Sequence, residues 1–80
     1  MRLEFKLPKL ADTADNYVVL GWQVAVGDRV SAGQPMVLIE TDKTEIELDV
    51  PADGTIGELL AAVDDEVTTG QVICVIDTET

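Results

Sequence analysis

"LGWQVAVGDRVSAGQPMVLIET", residues 20–41, recurs in altered form as "GELLAAVDDEVTTGQVICVIDT", residues 57–78. At an offset of 37, eight of the twenty-two pairs are identical: Ala25/Ala62, Val26/Val63, Asp28/Asp65, Val30/Val67, Gly33/Gly70, Gln34/Gln71, Ile39/Ile76 and Thr41/Thr78. Ser31/Thr68, Leu38/Val75 and Glu40/Asp77 are conservative pairs. Self-similarity at a fixed spacing marks a duplicated supersecondary unit. Each copy reads as strand, tight turn, short strand, Gly-Gln turn, strand. In the first copy these are Tyr17–Val24, a turn at Gly27-Asp28, a short pairing at Arg29-Val30, a turn at Ala32-Gly33, and Met36–Glu40; the second repeats them from Thr55 to Asp77. Short strands between Gly and Asp turns predict an all-β sandwich or flattened barrel.

Two further strands, Leu3–Leu7 and Glu45–Val50, each run up to a proline (Pro8, Pro51), which suits a strand end. They also correspond, but at an offset of 43: Phe5-Lys6-Leu7-Pro8 lies over Leu48-Asp49-Val50-Pro51. The difference between the offsets is a six-residue insertion between Pro8 and Val18, in "KLADTADNY". In a two-fold arrangement Lys43 maps to Thr80, so the hairpin between Glu40 and Glu45 answers to the chain termini. The repeat therefore predicts that Lys43 and the termini lie at opposite ends, with the inserted loop beside Lys43.

Eighty residues make one domain, 1–80, and at this length a chain buries only about 60–65% of the surface it exposes when unfolded. With 46% apolar residues but only Phe5, Tyr17 and Trp22 as aromatics, the core must be aliphatic, which favours strands. A net charge of -11 argues against nucleic acid, since phosphates must be neutralised by Lys and Arg. Basic protein surfaces are the better-matched partners. Cys74 is the one cysteine and there is no His, so neither an internal disulfide nor a zinc site is expected. Cys74 reads as a buried free thiol. No apolar run approaches the ~20 residues of a membrane span, and "MRLEFKLP" lacks a signal-peptide core. A soluble domain made in a reducing compartment is expected.

Against this background "IETDKTEIEL", residues 39–48, stands out, because Lys43 is the only basic residue after Arg29. With Asp42 and Lys43 central in the turn, the cross-strand pairs become Thr41/Thr44, Glu40/Glu45, Ile39/Ile46 and Val37/Leu48. Val37, Ile39, Ile46, Leu48 and Val50 then face inward, with Cys74 taking the place of Val37 in the other half. Glu40, Glu45, Glu47 and Asp49 face out. Asp-Lys is not a dipeptide that favours the positive φ of two-residue hairpin turns, so an ordinary type I or slightly wider turn is expected. A hairpin-tip lysine can be simple solvation. Its isolation among acids and the symmetric architecture point instead to use.

The stretch "GDRVSAGQPMVLIETDKTEIELDVPADGTIGELL" resembles the lipoyl domains of 2-oxo acid dehydrogenase complexes, in its Gly-Asp-x-Val turn, Glu-Thr-Asp-Lys hairpin and Val-Pro segment. The resemblance covers about Phe5 to Asp77. It implies a flattened barrel-sandwich hybrid of two four-stranded antiparallel sheets with pseudo-two-fold symmetry. It further implies that Lys43 Nζ forms an amide with lipoic acid, that Asp42 and Thr44 serve recognition by a lipoate ligase or lipoyl transferase, and that the domain is a non-catalytic swinging-arm carrier. The partners so implied are a thiamine-dependent decarboxylase, an acyltransferase core and dihydrolipoamide dehydrogenase, in the cytoplasm or, in a eukaryote, the mitochondrial matrix. Leu10, Asp12, Asp15 and Asn16 of the inserted loop, with Glu40 and Glu45, are the expected partner surface. Thr44 and "LADTADNY" depart from common family patterns, which bears on the choice of partner more than on lipoylation.

Biotin carboxyl carriers share the fold, but their lysine usually lies between two methionines. An acyl carrier protein is helical, which "EIELDV" opposes by its period-two alternation. An unmodified hybrid-barrel binding module is the remaining alternative. Among smaller features, Trp22 is expected to pack in part against the core, and Gly33, Gly70 and Gly54 to supply positive φ.

Overall fold

The structure, a computed structural model, describes residues 1–10 and 15–78. Its strands are β1 (Arg2–Lys6), β2 (Asn16–Trp22), β3 (Arg29–Val30), β4 (Pro35–Glu40), β5 (Glu45–Asp49), β6 (Gly54–Leu59), β7 (Glu66–Thr68) and β8 (Val72–Thr78). They form two four-stranded sheets, in the orders β1-β8-β6-β3 and β5-β4-β2-β7, with antiparallel pairing throughout. Under the repeat, β5, β4, β2 and β7 take the places of β1, β8, β6 and β3. Each sheet thus mixes strands from both halves, and neither half can fold its own sheet alone.

The hydrogen bonds explain why the two copies kept their Asp, Gln and Gly pairs. Asp28 and Asp65 each accept from a backbone N–H three residues earlier, Ala25 N to Asp28 Oδ2 at 2.8 Å and Ala62 N to Asp65 Oδ2 at 2.9 Å. Gln34 and Gln71 do the same for Ser31 N and Thr68 N, both at 3.1 Å. Gly33 N donates to Val50 O at 2.9 Å and Gly70 N to Leu7 O at 2.8 Å, tying each Gly-Gln turn to the segment before a proline. Gly33 and Gly70 both have φ of 87°, which costs glycine nothing. At the other pair of turns the bond from Asp28 N to Ala25 O makes Val26 and Gly27 central, one residue earlier than expected. The reason is that Asp28 caps the turn with its side chain and so cannot also occupy its centre. The second copy places Asp64 there, at φ 75°.

Pairing registers shift between Pro35 and Val37 in β4 and, at the related place, between Phe5 and Lys6 of β1 opposite β8. These bulges turn two consecutive residues inward, so Met36 joins Val37, and Ile73 joins Cys74, all 0% exposed. Simple alternation expected only Val37 and Cys74 there. Ile39 and Val50 are buried as expected, whereas Ile46 and Leu48 are only half-buried, because β5 is an edge strand. Each fully buried aliphatic side chain contributes roughly 1.5–3 kcal/mol. Trp22 packs partly against this core and donates from Nε1 to Ala61 O at 2.8 Å, joining the two halves.

Gly54 corrects an expectation. It does not have a positive φ; a Cβ there would run into the carbonyl oxygen of Asp77 and stand 3.0 Å from Ile76 Cγ2. The close approach of β6 to β8 at the Gly54/Thr78 pair requires the missing side chain. Gly54→Ala is expected to destabilise the domain by about 1–3 kcal/mol, as overpacking does. Urea denaturation with an unchanged midpoint would contradict this.

Cys74 Sγ lies 3.9 Å from Met36 Sδ, and burial pushes its thiol from an ordinary 9.0 up to about 11. Between those values the unfolded thiol has lost a proton that the folded thiol keeps, so the unfolded state binds fewer protons and stability falls as pH rises. Below pH 9.0 both states are protonated and the contribution is constant. Cys74→Val, which copies Val37, should therefore remove up to roughly 2 kcal/mol of the alkaline loss. Parallel stability curves for the two proteins from pH 8 to about 11 would refute it.

Candidate functional site

The β4–β5 hairpin has the expected register, with Val37/Leu48, Ile39/Ile46 and Glu40/Glu45 paired. Beyond Glu40 and Glu45 only Thr41, Asp42, Lys43 and Thr44 remain to cross between strands. Thr41 N donates to Thr44 O at 2.7 Å and closes the turn. Neither Asp42 nor Lys43 has a positive φ, so the turn is not of the primed hairpin types.

A side chain completes what the backbone leaves open. Thr41 Oγ1 donates to Thr44 O at 2.9 Å, and accepts from Thr44 N at 3.1 Å and from Lys43 N at 3.4 Å. Thr41 is 8% exposed and is the one buried polar or charged residue among those described. Asp42, Lys43 and Thr44 are exposed, as are Glu40 and Glu45 below them. No carboxylate among the described residues forms an ion pair with Lys43. The ammonium is thus presented on a fixed turn, in a field made negative by Glu40, Asp42 and Glu45.

The inserted loop begins after Leu7 and returns at Asp15. Its base is strapped down: Lys9 Nζ pairs with Asp15 Oδ1 at 3.3 Å, and Leu10 N donates to the Tyr17 hydroxyl at 3.1 Å. Thr69, on the β7–β8 turn, donates to Asp15 O from its N–H at 3.0 Å and to Asp15 Oδ1 from its hydroxyl at 3.3 Å. Leu10 is half-buried and packs against the core. Asp15 and Asn16 are exposed, and Asp12 lies outside the described residues.

Pairing of Val18 with Glu40 sets the start of β2 alongside the end of β4, which brings the loop base to the lysine end of the molecule. β1 runs from Arg2, opposite Asp77, to Lys6, opposite Val72, and so leads away from the termini toward that loop. Met1 and Thr78 therefore lie at the opposite end from Lys43. Sequence reasoning overlooked Thr41 and Asp15 as organisers of these two features. The only signal for Thr41 was its identity with Thr78.

The structure is thus a flattened barrel with an exposed lysine on the hairpin at one end. The Biotin_lipoyl family model, described as "biotin-requiring enzyme", matches residues 3–76, and the chain belongs to that biotinyl/lipoyl attachment family. It is 42% identical over 74 residues to the dihydrolipoyllysine-residue acetyltransferase component of the pyruvate dehydrogenase complex of Acholeplasma laidlawii, covering 92% of this chain and 14% of that relative. The chain thus spans about one-seventh of the relative's length. The lipoyl domain of the 2-oxoglutarate dehydrogenase complex of Azotobacter vinelandii has the same fold, with a TM-score of 0.81 at 27% identity, covering 96% of this chain and 98% of that one. Urea carboxylase of Kluyveromyces lactis contains it too, with a TM-score of 0.80 at 25% identity over 96% of this chain and 6% of that one. Fold likeness by itself therefore does not say what the lysine carries.

Proposed function

We propose that Lys43 Nζ carries lipoate in amide linkage and that the domain is the swinging-arm acyl carrier of a 2-oxo acid dehydrogenase complex. The carrying observation is the exposed Lys43 on a hydroxyl-stapled hairpin tip, in the sequence Asp42-Lys43-Thr44 rather than between methionines. Modification requires the neutral amine of Lys43 to attack an activated lipoyl carbonyl, forming the N–C bond and releasing the activating group and a proton. Nothing among the described residues pairs with the ammonium, so no ion pair has to break first.

The attached group supplies the dithiol–disulfide and acyl-transfer chemistry. The chain supplies an anchor that projects from the end of the barrel remote from Met1 and Thr78. In this reading the arm is charged by a thiamine-dependent decarboxylase, discharged at an acyltransferase core and reoxidised by dihydrolipoamide dehydrogenase. Asp42 and Thr44 flank the lysine for a lipoate ligase or lipoyl transferase. Asp15 and Asn16 at the strapped loop base, with Glu40 and Glu45, offer the decarboxylase an acidic surface suited to basic partners.

Intact mass after co-expression with a lipoate ligase, and separately with a biotin ligase, tests the proposal. A lipoyl increment with the first and none with the second is expected. A biotin increment would make the domain a carboxyl carrier, and no increment with either would leave a binding module.

A further inference from the structure

Thr41 and its symmetry mate Thr78 make the same backbone closure at the two ends of the barrel. Thr41 N donates to Thr44 O at 2.7 Å, and Thr78 N to Met1 O at 2.8 Å. Thr41 Oγ1 reaches Thr44 O at 2.9 Å, and Thr78 Oγ1 reaches Met1 O at 3.3 Å. At the terminal end that is the hydroxyl's bond among the described residues, which run to Thr78. At the lysine end the hydroxyl also accepts from Thr44 N at 3.1 Å and Lys43 N at 3.4 Å. The threonine and its backbone closure are common to both ends; at the end that bears the lysine the hydroxyl also holds the Lys43 and Thr44 amides.

We infer that Thr41 is a positioning residue for modification of Lys43, its hydroxyl fixing the peptide from which the lysine side chain departs. The inference rests on the carrier reading above. The backbone closure from Thr41 N to Thr44 O leaves the Asp42–Lys43 segment free to rock about its two ends. The Thr41 hydroxyl removes that freedom by holding the Lys43 and Thr44 amides on one oxygen. A valine keeps the size and the β-branch but holds neither amide. The two N–H groups, on an exposed tip, then turn to water, and the direction in which Lys43 leaves the turn is no longer single. Misplacement of a nucleophile by about 1 Å costs on the order of tenfold to a hundredfold in rate.

The test compares the 80-residue chain with Thr41→Val, Thr41→Ser and Thr78→Val as substrates of a lipoate ligase, scored by intact mass over a range of domain concentrations. Thr41→Val is expected to lower kcat by about tenfold or more, while Thr41→Ser restores it and Thr78→Val leaves it unchanged. The kcat carries the decision, because a merely destabilised domain acts as less substrate: it raises the apparent KM and spares kcat. A wild-type kcat for Thr41→Val, or equal losses in Thr41→Val and Thr78→Val, would overturn the inference. Hydrogen exchange of the unsubstituted chain is an independent measure that does not require Thr41→Val to fold. Slowed exchange at the Thr44 amide is expected, and exchange at the free-chain rate would overturn the inference as well. Absence of any lipoyl increment on the unsubstituted chain is a different result, since it removes the carrier reading itself and the inference with it.

Discussion

Lys43→Arg yields a folded domain whose mass stays that of the unmodified chain, however long it is incubated with lipoate and a ligase. The guanidinium keeps the positive charge at the tip but cannot be deprotonated near neutral pH and is no acylation nucleophile. The turn survives, because its bonds run between the Thr41 backbone and hydroxyl, the Lys43 and Thr44 amides and the Thr44 carbonyl, without the lysine side chain. Stability should therefore change by no more than about 0.5 kcal/mol, as for other exposed substitutions. Reductive acylation by a thiamine-dependent decarboxylase should vanish with the lipoyl group. The other lysines, Lys6 at the end of β1 and Lys9 in the ion pair with Asp15, lie outside the hairpin. Lipoate recovered on a peptide containing either, or a lipoyl increment surviving in Lys43→Arg, would remove the assignment.

The repeat made the architecture legible because the Asp, Gln and Gly pairs it kept are the ones that shape the turns. Asp28 and Asp65, Gln34 and Gln71, Gly33 and Gly70 are identical since each pair makes the same hydrogen bond or the same positive φ in both halves. Two offsets, 37 and 43, sufficed to place the inserted loop and the lysine at one end. What escaped was geometry that leaves no mark on spacing. The bulges that bury Met36 and Ile73 break the period-two rule within strands that otherwise obey it. Gly54 looks in sequence like another turn glycine, and only the approach of Asp77 shows that it answers a steric demand.

At the site the division is similar. Isolation among acids singles out Lys43 in the sequence, whereas Thr41 looks like one end of a strand pair and is the staple of the turn. Leu10 stands out in the sequence as the one prominent apolar side chain in a loop of aspartates. The Tyr17 hydroxyl, reaching the Leu10 amide from a core position, draws the loop base inward. Such a contact joins residues on either side of an insertion, and no local pattern announces it.

Exchanging the central pair, Asp42→Lys with Lys43→Asp, separates the two ways in which the tip could be recognised. Net charge, composition and the acidic setting of Glu40 and Glu45 are all unchanged, so electrostatic attraction of a basic ligase surface should persist nearly intact. What changes is the peptide that bears the lysine. Position 43 has its amide on the Thr41 hydroxyl, within the stapled part of the turn, whereas position 42 has no such bond and precedes the staple. A shift of one residue along a hairpin also turns a side chain toward the other face. The lysine then enters a ligase at an angle from which its amine does not meet the activated carbonyl, and lipoylation should fall on the order of a hundredfold. Both residues are exposed, so the thermal midpoint should move little. Measured at low salt and again at high salt, the exchanged domain should lose the same factor at both, because geometry is not screened while attraction between charges is. An undiminished rate would mean that the ligase reads charge alone. A loss that disappeared at high salt would assign recognition to the field of the acidic tip rather than to the direction in which Lys43 leaves it.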